Sequence, residues 1–216
     1  KRVVDEMIDC AEKEVTVIDR TESAKSVVEI IKLSESPMSA IGIEVFADGS
    51  AEALPEKPLK IEFIGDSITC GYGVDDEDEN HQFTTATEDV TKAYAYKTAK
   101  ALDAEYSMFS ASGYGIVSGY TEGDEPISEQ TIPQFYCSYG FSRGNFAGTA
   151  PQDIPWDFSK YVPQIIVINL GTNDDSYCRD HKDRQAVFSK LYADFLAVVR
   201  EKNPQAYILC TVGIMG

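Results

Sequence analysis

The spacing of apolar and polar residues changes near the first quarter of the chain. Val15-Thr16-Val17-Ile18, Ser26-Val27-Val28-Glu29-Ile30-Ile31 and Ile41-Gly42-Ile43-Glu44-Val45-Phe46 are short runs rich in β-branched residues. The last alternates apolar and polar positions, which predicts a strand with one face buried. Asp48-Gly49 ends it as a turn. Leu54-Pro55-Glu56-Lys57-Pro58 follows, and its two prolines block helix and central strand alike, so it reads as a linker. A few strands alone leave unpaired edges and half a core. Residues 1–55 are therefore expected to form part of a β-sandwich whose earlier strands lie outside this sequence.

From residue 59 the runs lengthen and begin to alternate in type. Leu59 to Ile64, Tyr106 to Ser110, Ile165 to Leu170 and Tyr207 to Val212 are strand-length segments. The third is almost continuously apolar, as expected of a strand buried on both faces. Residues 91–102 suit a helix. Residues 184–201 place Val187, Phe188, Leu191, Tyr192, Phe195, Leu196, Val198 and Val199 at helical spacing, and Pro204 stops the run. Strands alternating with helices predict βαβ units and a parallel sheet. Residues 114–163 are polar and rich in Gly, Pro and aromatics; a connection of that length is functional or built from short elements. The expected division is a partial sandwich over 1–55 and an α/β domain over 56–216.

Charge and composition narrow the partners. With 19 basic and 36 acidic residues the net charge is −17, which argues against nucleic acid and anionic lipid surfaces. Neutral substrates such as sugars stay open. No run of about 18 apolar residues occurs, so no membrane span is expected. The five cysteines (Cys10, Cys70, Cys137, Cys178, Cys210) contain no C-x-x-C pair. They read as free, mostly buried thiols rather than a disulfide framework or zinc site.

Three polar motifs fall at the carboxyl ends of predicted strands: Gly65-Asp66-Ser67, Ser112-Gly113 and Gly171-Thr172-Asn173-Asp174. Those ends share one rim in an open parallel sheet, where ligands bind. A hydroxyl, a glycine N–H and an asparagine amide meeting there are what an acyl-transfer site needs: a nucleophile, and donors aimed where negative charge develops. Each alone has a plainer reading. A serine after a strand is most often an N-cap, a loop glycine serves backbone geometry, and Asn173 can stabilise its own turn.

These blocks resemble the first three blocks of the SGNH (GDSL) hydrolases. "RTES" at 20–23, "KIEFIGDSITCGYG" at 60–73 and "WDFSKYVPQIIVINLGTND" at 156–174 are similar to carbohydrate esterase family 2. That resemblance implies part of a β-sandwich (jelly-roll) domain followed by a flavodoxin-like, three-layer α/β domain. It implies removal of acetyl groups from polysaccharides or their fragments through an acyl-enzyme, with no cofactor and no metal. Ser67 would be the nucleophile. The N–H groups of Ser67 and Gly113 and the amide of Asn173 would form the oxyanion hole. Trp156 and Tyr136, from an aromatic group read mostly as packing, are candidates for a sugar subsite. The family's base histidine lies in a D-x-x-H-type block after the last strand, and no such block occurs here. His81 and His181 are the only histidines; both read as exposed loop residues, with His181 the possible substitute base. The expectation is a domain whose histidine block lies beyond Gly216. Two other functions are kept: an SGNH lipase or thioesterase acting on another acyl ester, and a non-catalytic carbohydrate-binding protein. A polysaccharide substrate points to a secreted or cell-envelope protein and unpaired cysteines are compatible with the cytoplasm, so neither compartment nor oligomeric state follows.

Other motif matches lack their context. Gly140-Phe141-Ser142-Arg143-Gly144 fits G-x-S-x-G without a strand before it or a helix after it. Gly113-x-Gly115-x-x-Ser118 misses the last glycine of a dinucleotide fingerprint. Asp76-x-Asp78-x-Asn80 begins like a calcium loop but has His81 where the glycine belongs, so a solvated acidic loop is expected.

Overall fold

A computed structural model describes residues 4–6, 13–22, 24–35, 52–141, 148–211 and 213. The chain divides into two units, 1–33 and 34–216. In the first unit the described residues carry no strand, so the strands expected at 15–18 and 26–31 are not formed there. Val27 and Ile30 are exposed. β-branched composition expresses a fit to a pleated, half-buried surface, and no described residue supplies a partner strand for it. The strand expected at 41–46 lies outside the described residues, and no sandwich is shown.

The described residues of the second unit are built on four parallel strands: β1 (Lys60–Gly65), β2 (Glu105–Ser110), β3 (Ile165–Asn169) and β4 (Tyr207–Thr211). Their order is β2-β1-β3-β4. All four agree with the sequence reading to within one residue. Among the described residues four α-helices accompany them: α1 (Ser67–Cys70), α2 (Tyr94–Ala101), α3 (Thr172–Cys178) and α4 (Lys182–Lys202). The described residues of the long polar connection include short 3-10 turns at Ile132–Gln134, Pro151–Asp153 and Phe158–Lys160.

Alternation along β1 sends side chains into two cores. Ile61 and Phe63 pack with Ala95 and Ala99 of α2, while Ile64 packs with Ile166, Ile168, Phe195 and Val199 on the α4 side. Helices thus cover both faces, giving the three-layer arrangement that a continuously apolar β3 requires. None of the described helices is long and apolar enough to cross a membrane.

Strand order and register place the site. β1 pairs with β2 on one side and β3 on the other, and Gly65 lies opposite Ser110 and Asn169. The chain leaves β1 for one neighbour and later returns to its other side, so the connections diverge between β1 and β3. Such a switch point opens a crevice above the carboxyl ends of the strands. Ser67, Ser112-Gly113 and Thr172-Asn173 all follow within four residues of this common rim.

Candidate active site

Ser67 sits at the first position of α1, one turn long and capped at both ends. The Asp66 carboxylate accepts from the Ile68 N–H at 3.0 Å, and Gly71 closes the turn in a left-handed conformation. The turn folds tightly against β1: a Cβ at Gly65 would lie 2.0 Å from Thr69 Oγ1, so only glycine fits there. Thr69 Oγ1 shares a hydrogen bond with the Tyr94 hydroxyl at 3.0 Å, tying α1 to α2. Cys70 donates to Ser110 Oγ at 3.2 Å, tying α1 to the end of β2. Ser67 is left half-buried and reachable. Cys70 is buried, and burial, with the Glu35 and Glu88 charges, pushes its thiol well above the ordinary range. A thiol held protonated is a poor nucleophile, which leaves the hydroxyl as the candidate.

Gly113 has φ of 81°, a conformation costly for any residue with a Cβ. Its carbonyl accepts from Tyr120 N–H at 2.9 Å. Among the described residues the N–H groups of Ser67 and Gly113 make no hydrogen bond, and both are available to a ligand. Asn173 is buried, and its amide donates to the Tyr114 carbonyl at 2.8 Å. This bond joins the loop after β3 to the loop after β2. The second amide hydrogen has no partner among the described residues.

Two buried carboxylates brace these loops, and sequence reasoning gave neither a role. Asp174 accepts from the backbone N–H groups of Ile116, Val117 and Ser118 at 2.6–3.2 Å. Burial raises its pKa, and the three donors oppose the shift. Asp66 is fully buried and is raised to about 6, first by burial and further by the Asp174 charge, against the Ile68 N–H bond. Both residues stand inside the motifs that were singled out, so their positions were the available signal. Glu35 was missed entirely. Its carboxylate accepts from Ser112 N–H at 2.8 Å, and its N–H donates to Glu88 at 2.6 Å. Glu35, Cys70 and Glu88 bring ligand-type atoms within 4.8 Å of one another. Backbone donors already engage both carboxylates, so the cluster reads as support for the Ser112-Gly113 loop.

The histidines lie elsewhere. The His81 ring bonds Asp76 at 2.8 Å on the exposed loop. His181 is the exposed residue preceding α4. Among the described residues no ring hydrogen-bonds to Ser67. The calcium-like segment is a run of Asx turns, in which Asp76 accepts from Asp78 N–H and Asp78 from Asn80 N–H. Ser142 of the G-x-S-x-G match lies outside the described residues. Tyr136 needs correction as a substrate contact. It is 2% exposed, its hydroxyl donates to Glu62 and accepts from Asn203, and its ring packs on Phe195. Trp156 is half-buried beside Tyr139, with ring centroids 6.0 Å apart.

The sequence profile of the GDSL-like lipase/acylhydrolase family matches residues 63–216. The chain belongs to this family. Cellulase/esterase CelE of Acetivibrio thermocellus is 40% identical over 79% of this chain and 19% of its own length. An acetylxylan esterase/glucomannan deacetylase of Cellvibrio japonicus is 31% identical over 95% of this chain and 54% of its own. Among solved structures, a family two carbohydrate esterase from Clostridium thermocellum in complex with cellohexaose superposes with a TM-score of 0.61 at 36% identity. That match covers 76% of this chain and 45% of the other. An acetyl xylan esterase from Butyrivibrio proteoclasticus gives 0.69 at 27% identity, over 78% and 50%. The chain thus spans about half, or less, of the length of these relatives.

Proposed function

We propose that this GDSL-like protein is a serine esterase that removes acetyl groups from carbohydrate esters. One observation carries the reading: at the rim shared by β1, β2 and β3, an accessible hydroxyl stands with uncommitted donors, the N–H groups of Ser67 and Gly113 and one amide hydrogen of Asn173. Ser67 Oγ attacks the acetyl carbonyl and its proton passes to a base. The carbonyl oxygen becomes negative and is held by the three donors. Collapse expels the sugar hydroxyl and leaves acetyl-Ser67, and water then releases acetate. The family resemblance assigns the base to a histidine after the last strand; His81 is turned to Asp76 and does not fill that place. The names of the relatives support the acetylated carbohydrate as substrate.

The test is Ser67→Ala. Acetate release from acetylated xylo-oligosaccharides should fall to background while circular dichroism is unchanged. An unaltered rate would exclude Ser67 as nucleophile.

A further inference from the structure

Beside Ser67 lies an open cleft of about 240 Å³, lined by Ile68, Gly71, Tyr72, Val74 and Ala93. Its wall is mostly apolar, and its lining residue Val74 leads directly into the most acidic stretch of the chain. Tyr72 is 47% exposed and lines this cleft. Its ring stacks on Phe83, with centroids 4.1 Å apart and planes inclined by 12°. Phe83 covers one face of the Tyr72 ring and fixes its tilt. The same pair closes the loop between them, which carries Asp75-Asp76-Glu77-Asp78-Glu79. Lys92 bridges Asp75 and Asp89, and His81 holds Asp76, so the acidic loop is fastened at several points. An aromatic face beside the nucleophile, with the acidic loop starting directly after the lining residue Val74, suits a neutral ring. A pyranose ring offers an apolar C–H face to stack and hydroxyl donors around its edge. A flexible acyl chain offers no flat face to stack on Tyr72, and an anionic sugar is repelled by the net charge of −17.

We propose that Tyr72, held flat by Phe83, is the platform on which the neutral sugar ring bearing the ester stacks, and that it sets the preference for sugar esters. This rests on the deacetylase reading above and adds a residue to it. Tyr72 binds substrate, and Phe83 is a positioning residue that acts through Tyr72.

The experiment compares the wild type with Tyr72→Ala, Tyr72→Phe and Phe83→Ala in the full chain. Two substrates are used, a neutral acetylated xylo-oligosaccharide and ethyl acetate, which has no ring to stack. Loss of one aromatic contact should lower kcat/KM for the sugar ester about ten-fold, mainly through KM. Ethyl acetate turnover should stay within about two-fold, since it lacks the stacking contact. Tyr72→Phe keeps the face and should behave as wild type; Phe83→Ala should fall between. Calorimetric binding of the same oligosaccharide to Ser67→Ala, with and without Tyr72→Ala, gives a readout independent of turnover and should show the same loss. Equal losses on both substrates, or sugar binding unmoved by Tyr72→Ala, would overturn the platform alone. Wild-type turnover of ethyl acetate with neither turnover nor binding of the sugar ester would overturn the substrate reading and the platform together. A selective gain toward butyrate esters in Tyr72→Ala would show the cleft to be an acyl slot and would also overturn it.

Discussion

Asn173 has two amide hydrogens, and the Tyr114 carbonyl takes one. The other has no partner among the described residues, and in the proposed mechanism it meets the negative oxygen, which would give one side chain two separable tasks. Asn173→Ala should lower kcat by about 10²–10³, as loss of one oxyanion donor does, with KM moving far less because the donor acts in the transition state. The lost brace should also cost about 1 kcal/mol of stability, as a typical hydrogen bond does. Steady-state kinetics and a denaturant melt separate the two effects; a change in KM alone would make Asn173 a substrate-binding residue instead. At this scale the sequence named Ser67, Gly113 and Asn173 from their motifs but gave no role to Asp66, Asp174 or Glu35. A carboxylate that accepts three backbone N–H groups from another loop has no local sequence signature.

Between elements, Glu62 shows how the sheet is joined to its surroundings. It lies on β1, accepts from the Tyr136 hydroxyl at 3.0 Å, and that hydroxyl accepts from Asn203 at the end of α4 at 2.8 Å. Burial raises the Glu62 pKa to about 7, and the Tyr136 bond opposes the shift. A carboxyl raised in the folded state binds more protons there than in the unfolded chain between pH 4.5 and 7. Stability therefore falls as pH rises through that window and levels off above it. Glu62→Gln keeps an acceptor for Tyr136 without the charge. It should match the wild type near pH 4 and be more stable at pH 8, by roughly 3–4 kcal/mol for the 2.5-unit shift at about 1.4 kcal/mol per pH unit. Urea melts at both pH values check this, and a variant less stable at pH 8 would mean that the ionised form is favoured.

Across the whole molecule the charge of −17 dominates. Several ion pairs are on the surface, among them Lys190–Asp194 and Lys60–Glu56, and each contributes little. Repulsion among the excess carboxylates outweighs them. Raising sodium chloride from 10 mM to 300 mM, which shortens the screening length from about 30 Å to less than 10 Å, should raise the melting temperature by a few degrees. A fall would mean that the ion pairs matter more than the net charge. The sheet also shows an unevenness at this scale. Along β4, Tyr207 is 80% and Leu209 54% exposed on the face that α2 covers at β1.

The amino-acid order by itself determined the four strands, the two longer helices and the motifs at the strand ends. Each is set by local spacing: apolar continuity for β3, a 3.6-residue period for α4, glycine where β1 turns into α1. It also marked the polar segment 114–163 as one long connection. Only the tertiary structure decided which residues share a rim, because that depends on strand order, and β1 lies between β2 and β3 rather than at an edge. It moved Tyr136 from a candidate sugar contact into the core, since a tyrosine reads alike in sequence whether its hydroxyl meets solvent or Glu62. It paired Tyr72 with Phe83 across the acidic loop and set Glu35 under Ser112. The segments 15–18 and 26–31 form no strand among the described residues, for the complementary reason: β-pairing is completed by a partner, and composition cannot supply one.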